Sequence, residues 1–134
     1  MYDIMSFNWS KFFDVGLCMK NISKREEYQR SAVGRFYYAA FGLVKKYFEK
    51  NHYRKVPSDS PHKFLIEELK KSNFEEEIEL GKSLEKLRDY RNFADYNNKF
   101  YIFNVKRAKN SYEDIIEILE HLEENPLYLK ISKK

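Results

Sequence analysis

An all-α, up-and-down bundle of four to five helices is the fold the sequence predicts, and three features predict it. Only 4 glycines and 3 prolines stand among the 134 residues, too few for the turns of an all-β chain of this length. Apolar residues recur at steps of three and four over long stretches, the spacing that gives a helix one apolar side. The 17% aromatic content, with 11 Tyr and 11 Phe, supplies core bulk that disordered chains lack. The length fits one domain over residues 1–134, with a short C-terminal tail over 123–134.

The first helix is expected over Lys11 to Lys20, capped by Asn8 or Ser10, with Phe12, Phe13 and Leu17 on its apolar side. Ser23, followed by Glu26 at the capping-box spacing, opens a second helix that runs to about Asn51 with no proline. Val33, Tyr37, Ala40, Phe41, Val44 and Phe48 form its stripe, and Phe36, Leu43 and Tyr47 widen it. A helix apolar over so much of its circumference belongs at the centre. Pro57 and Pro61, with Ser58, Asp59 and Ser60 between them, mark a loop before a short helix of His62 to Lys71. A fourth helix starts at Ser72 or Asn73, places Glu75, Glu76 and Glu77 against the positive dipole end, and reaches about Tyr96. After the short apolar run Phe100 to Phe103, Asn104 is read as the cap of a last helix through His121. Its face of Val105, Ala108, Tyr112, Ile115, Leu119 and Leu122 is heptad-like and packs on a helix of the same chain or of a second one. Pro126 ends it.

A net charge of +4 suits an anionic partner without requiring one. The single cysteine, Cys18, has no partner for an internal disulfide, and Met1 to Trp9 lack the basic start and apolar run of a signal peptide. A cytoplasmic protein is expected, and no run approaches the length of a membrane span.

The most informative position is Arg91. Leu80, Leu84, Leu87 and Ala94 fall on one side of the fourth helix, and Arg91 stands in the middle of that stripe. One reading is a partly buried ion pair with Asp95, four residues on. The other is a cleft in which the guanidinium fork of Arg91 meets a phosphate, with Arg88 and Asn92 to its side. The Tyr37-Tyr38 pair reads as core, with one hydroxyl bonding across the bundle to Arg91 or Asp95. Around the end of the second helix, Lys45, Lys46, Lys50, His52, Arg54 and Lys55 interleave with Tyr47, Phe48 and Tyr53. This is either a solvated helix end or an RNA-backbone patch with stacking partners. His62 is expected to cap or pack, His121 to sit exposed near a helix end, and Glu75 to Glu77 to form a solvated first turn. No pair of histidines has metal-ligand spacing and no Gly-rich phosphate loop is present, so neither metal nor cofactor is expected.

Two segments carry a family resemblance. Gly34-Arg35-Phe36-Tyr37-Tyr38-Ala39-Ala40-Phe41 resembles the Ser-Arg-Ala-Tyr-Tyr-Ala-x-Phe signature of HEPN domains (higher eukaryotes and prokaryotes nucleotide-binding). Leu87-Arg88-Asp89-Tyr90-Arg91-Asn92-Phe93-Ala94-Asp95-Tyr96 is similar to the fourth-helix pattern of the branch that ends in Ala-Asp-Tyr. The resemblance implies a small helical bundle that forms a homodimer and acts on RNA or a nucleotide. It also implies a metal-independent endoribonuclease of a toxin–antitoxin or phage-defence system, with an antitoxin or nucleotidyltransferase encoded nearby.

The active family motif is an arginine and a polar residue, matched by Arg91 and Asn92, with a histidine four to six residues after the arginine. Here that histidine is missing and Tyr96 stands five residues on. Carried over, Arg91, Asn92, Asp95 and Tyr96 are the catalytic candidates, and Arg35, Tyr38, Arg88, Lys46, His52 and Arg54 the RNA- or nucleotide-binding ones. An unperturbed phenol near pKa 10 is a poor neutral-pH proton carrier. The alternative is therefore a catalytically inactive HEPN module that binds RNA or nucleotide, or docks a nucleotidyltransferase to which Tyr96 offers its phenol.

Overall fold

A computed structural model describes residues 8–127. The expectation for Met1 to Phe7 and most of the tail expected over 123–134 lie outside them; the start of that stretch still belongs to the last helix. Five helices follow one another, α1 (Ser10–Ile22), α2 (Glu26–His52), α3 (Pro61–Lys70), α4 (Glu75–Tyr96) and α5 (Phe103–Glu124), and no strand is present among the described residues. The all-α reading holds. α2 is the central element and packs against each of the other four. Its buried residues include Val33, Phe36, Tyr37, Ala40, Phe41, Val44 and Phe48, as its apolar spacing requires. The heptad-like face of α5 is spent inside the chain, on α2 and α4, with Val105, Ala108, Tyr112, Ile115 and Leu122 buried.

The helix ends differ in detail from the sequence expectation. Asn8 Oδ1 accepts from the Ser10 backbone N–H at 3.0 Å, so Asn8 does satisfy an early donor of α1. The capping box at Ser23 and Glu26 does not form. Ser23 Oγ accepts from the Arg25 N–H, α2 starts at Glu26, and the Glu26 carboxylate pairs with Arg30 one turn later. Buried Gln29 closes the α1–α2 corner by donating to the carbonyls of Lys20 and Ser23 at 2.9 and 2.7 Å. Of the Phe100 to Phe103 run, Phe100 packs against the core, whereas Tyr101, Ile102 and Phe103 are each about half-exposed. Asn104 is a buried residue of α5, and Ile102 precedes the helix in place of the expected cap.

Two glycines let α1 lie close on α2. A Cβ on Gly16 would meet the Phe36 ring, and one on Gly42 would fall inside the Trp9 indole. Gly42→Ala gains helix propensity but overpacks this contact, and the second effect is the larger. A net loss of about 1–2 kcal/mol is expected from the urea midpoint. An unchanged midpoint would show that Trp9 does not seat on α2.

Candidate functional site

Arg91 lies on the buried stripe of α4, among Leu84, Leu87 and Ala94, with its side chain only 17% exposed. A guanidinium in such a place must be paired. Its Nη2 donates to the Tyr38 hydroxyl at 3.0 Å and its Nη1 to Asn92 Oδ1 at 3.4 Å, while Asp95 Oδ2 approaches Nε at 2.8 Å as a close ion pair. The guanidinium also lies over the rings of Tyr37 and Tyr38, at 5.7 and 5.3 Å from their centroids. The cross-bundle hydroxyl is therefore that of Tyr38. The ion pair with Asp95 forms, and the rest of the cation lies on an aromatic floor.

The second residue of that floor brings in a group from another helix. Tyr37 is fully buried, and its hydroxyl shares a hydrogen bond of 2.6 Å with His62 Nδ1 at the start of α3. The His62 ring packs on Phe41 at 4.1 Å and stands 5.5 and 6.3 Å from the Tyr37 and Tyr38 rings. Burial, together with the charges of Arg88 and Arg91, holds the His62 pKa below the ordinary imidazole value. Burial pushes the Tyr37 phenol well up, so it stays protonated although Arg88 and Arg91 oppose the shift. Arg88 is partly buried, and its Nε has no hydrogen-bond partner. Two cations, one neutral imidazole and two phenols thus meet where α2, α3 and α4 touch. That arrangement can hold a phosphate and can exchange a proton.

Not all the sequence-derived candidates share this place. Arg91, Asn92, Asp95, Arg88 and Tyr38 do. Tyr96 is 77% exposed and borders a different cleft, lined by Glu26, Glu27, Asp95, Asn97 and Asn98, with Arg30. Its carboxylates are each paired with an arginine, Glu26 with Arg30, Glu27 with Arg25 and Asp95 with Arg91. Arg35 lies over the Phe12 ring of α1 at 5.4 Å. Lys46, His52 and Arg54 sit toward the other end of α2, with His52 fourteen residues beyond Tyr38, about 21 Å along the axis. There His52 is not a free cation of a basic patch: its ring bonds Glu77 Oε2 through Nε2 at 2.7 Å. Arg54 lies over Phe48 and Phe64 and faces Glu68, and Lys46 is exposed beside Lys50 on a groove between α2 and α5.

The solvated first turn expected of Glu75 to Glu77 is corrected at Glu77, which is completely buried. Three side chains face its carboxylate at 2.7 Å each: the hydroxyls of Tyr47 and Ser72 donate to it, and His52 Nε2 bonds it. Sequence reasoning read Glu77 as solvated and gave His62 a capping or packing role. The signal was their register: His62 precedes Leu65, Ile66 and Leu69, and Glu77 precedes Leu80, Gly81 and Leu84, each at steps of three, four and seven.

Among the described residues no helix is long and apolar enough to cross a membrane, and no group of three His, Cys, Asp or Glu is placed to hold a metal ion. Comparison with curated proteins and with solved structures returns no match. The family model described as HEPN domain matches residues 18–125. That span holds α2 to α5 and the last turn of α1, including both motif helices and the Arg91 site between them. The chain therefore belongs to the HEPN domain family, a superfamily of nucleotide-binding and RNase-type domains.

Proposed function

We propose that this protein is a single-domain HEPN homodimer that binds RNA through a backbone phosphate seated on Arg91 and Arg88. It works in a toxin–antitoxin or phage-defence system whose partner is an antitoxin or a nucleotidyltransferase encoded nearby. The observation that carries the RNA reading is the guanidinium of Arg91, held by Tyr38, Asn92 and Asp95 beside the unpartnered Nε of Arg88. A fork fixed in this way is preorganised for a phosphate, which takes two of its N–H bonds in one plane. The half-exposed rings of Tyr101 and Phe103 add aromatic faces of the kind on which single-stranded bases stack. The 77% exposure of Tyr96 makes its phenol accessible to a modifying partner.

The test is binding of labelled total RNA in EDTA by the wild type and by Arg91→Ala, with cleavage followed on the same samples. Loss of one charge-assisted phosphate contact weakens binding about 10- to 100-fold and flattens the salt dependence by about one phosphate. Equal affinity with lowered thermal stability would make Arg91 a structural ion pair and overturn the reading.

A further inference from the structure

We infer that the aromatic turn between α4 and α5 is a docking surface for an acidic amphipathic helix of a second protein. This surface rests on the reading above only for the existence of a partner, and adds which element of that partner is taken. Tyr101, Ile102 and Phe103 are each about half-exposed, and neither they nor Phe93 is part of the buried core. Single apolar residues on a surface are ordinary, whereas a contiguous set marks a contact site. These are contiguous. The Tyr101 ring stacks on that of Phe93, with centroids 6.0 Å apart, and on that of Phe103 at 5.5 Å. The guanidinium of Arg107, one turn into α5, closes the row at 4.4 Å from the Phe103 centroid. Stacking holds these side chains in place beforehand, so little of their entropy is lost when a partner covers them.

The charge around the row is of one sign. From Tyr96 to Tyr112 the chain carries Lys99, Lys106, Arg107 and Lys109 and no carboxylate. Lys109 pairs with Glu113. Among the described residues no ion pair takes up Lys99, Lys106 or Arg107, and all three are exposed. Lys106 and Arg107 stand three and four residues after Phe103, on its side of α5. An occupant complementary to this surface therefore carries carboxylates beside apolar groups.

Spacing selects the form of the occupant. Rings 5.5 to 6.0 Å apart match the pitch of an α-helix, about 5.4 Å, so apolar side chains on successive turns of an apposed helix meet successive rings. One base can stack at an end of the row, but a run of bases about 3.4 Å apart does not keep its register. The aliphatic side chain of Ile102, more than half exposed, offers a base no ring and offers a helix an apolar contact.

The experiment selects binders of the whole chain from a phage-displayed library of helical peptides with randomised surface positions. The selected peptides are then synthesised and titrated by fluorescence anisotropy. They should carry apolar residues at steps of three and four and a net negative charge. Their affinity should fall about tenfold or more for a chain with both Tyr101→Ser and Phe103→Ser. It should fall by a similar factor, with a flatter salt dependence, for one with both Lys106→Glu and Arg107→Glu. Arg91→Ala should bind them as the wild type does. A library that yields no binder, peptides without acidic bias, or peptides indifferent to the two serines would each overturn the inference.

Two further measurements on the serine variant name other occupants. A dimer that dissociates in it would make a second copy the occupant, and a tenfold loss of labelled oligouridine with peptide binding intact would make the row a base-stacking track; either overturns the inference. If the serine variant does not fold, Ile102→Glu takes its place in the peptide titration, with the same loss expected and an unchanged affinity overturning the inference. Failure of the wild type to bind RNA removes the RNA reading and leaves the peptide result to decide the docking surface.

Discussion

Glu77→Ala is expected to lower the unfolding free energy by about 3 kcal/mol. The Glu77 carboxylate has no exposed surface, and Tyr47, His52 and Ser72 surround it at hydrogen-bond distance. Truncation removes a charged acceptor and leaves those donors facing a cavity beside Phe48 and Phe74. Each bond to a charged group contributes about 1.5–3 kcal/mol, but the bonds are not additive and His52, 34% exposed at its side chain, recovers water. Burial is the main cause that pushes the Tyr47 phenol far up, and the Glu77 carboxylate adds to it, so Tyr47 remains a neutral donor through the physiological range. Ser72→Ala and Tyr47→Phe, which each remove one donor and keep the acceptor paired, should cost about 1 kcal/mol apiece. Urea denaturation compares the three; a Glu77→Ala loss no larger than those of the single donors would show that the carboxylate is not the hub of the cluster.

The same three- and four-residue spacing that made the fold legible explains what was not legible in the site. Leu80, Leu84, Leu87 and Ala94 announce a buried stripe, so a cation inside it, Arg91, stands out and is found inside, as its position requires. His62, Glu77 and Arg30 obey the same rule on α3, α4 and α2, but they lie near helix beginnings, where solvated polar residues are also normal. Local sequence does not separate the two cases. What separates them is the neighbour across the bundle: Tyr37 for His62, Tyr47 for Glu77, and the carbonyls ending α4 for Arg30. Those partners lie 25, 30 and 64 residues away, separations that helix periodicity does not address. The cleft at Tyr96 escaped for the same reason, since Glu26, Glu27 and Arg30 reach it from α2.

Arg30→Ala is expected to cost about 2–3 kcal/mol and to loosen the end of α4 before the rest of the bundle. A helix leaves its last carbonyls without partners, and α4 has no basic residue in its last turn to answer them. Arg30 reaches over from α2 instead. Its Nη1 donates to the carbonyls of Ala94 and Asn97 at 2.6 and 2.7 Å, and Nη2 to that of Asn98 at 3.3 Å. Glu26 and the Phe100 ring hold the guanidinium in place, the ring at 5.1 Å. One side chain thus ties α2 to the turn that carries Asp95, the carboxylate paired with Arg91. Arg30→Lys keeps the charge but lacks the fork, so it should restore less than half of the loss. Hydrogen exchange provides the local readout: amides over residues 93–100 should exchange faster in Arg30→Ala, ahead of those in α2. If exchange accelerates evenly throughout the chain, Arg30 stabilises the bundle as a whole and does not position Asp95, and RNA affinity in this variant should then fall no further than the unfolded fraction requires.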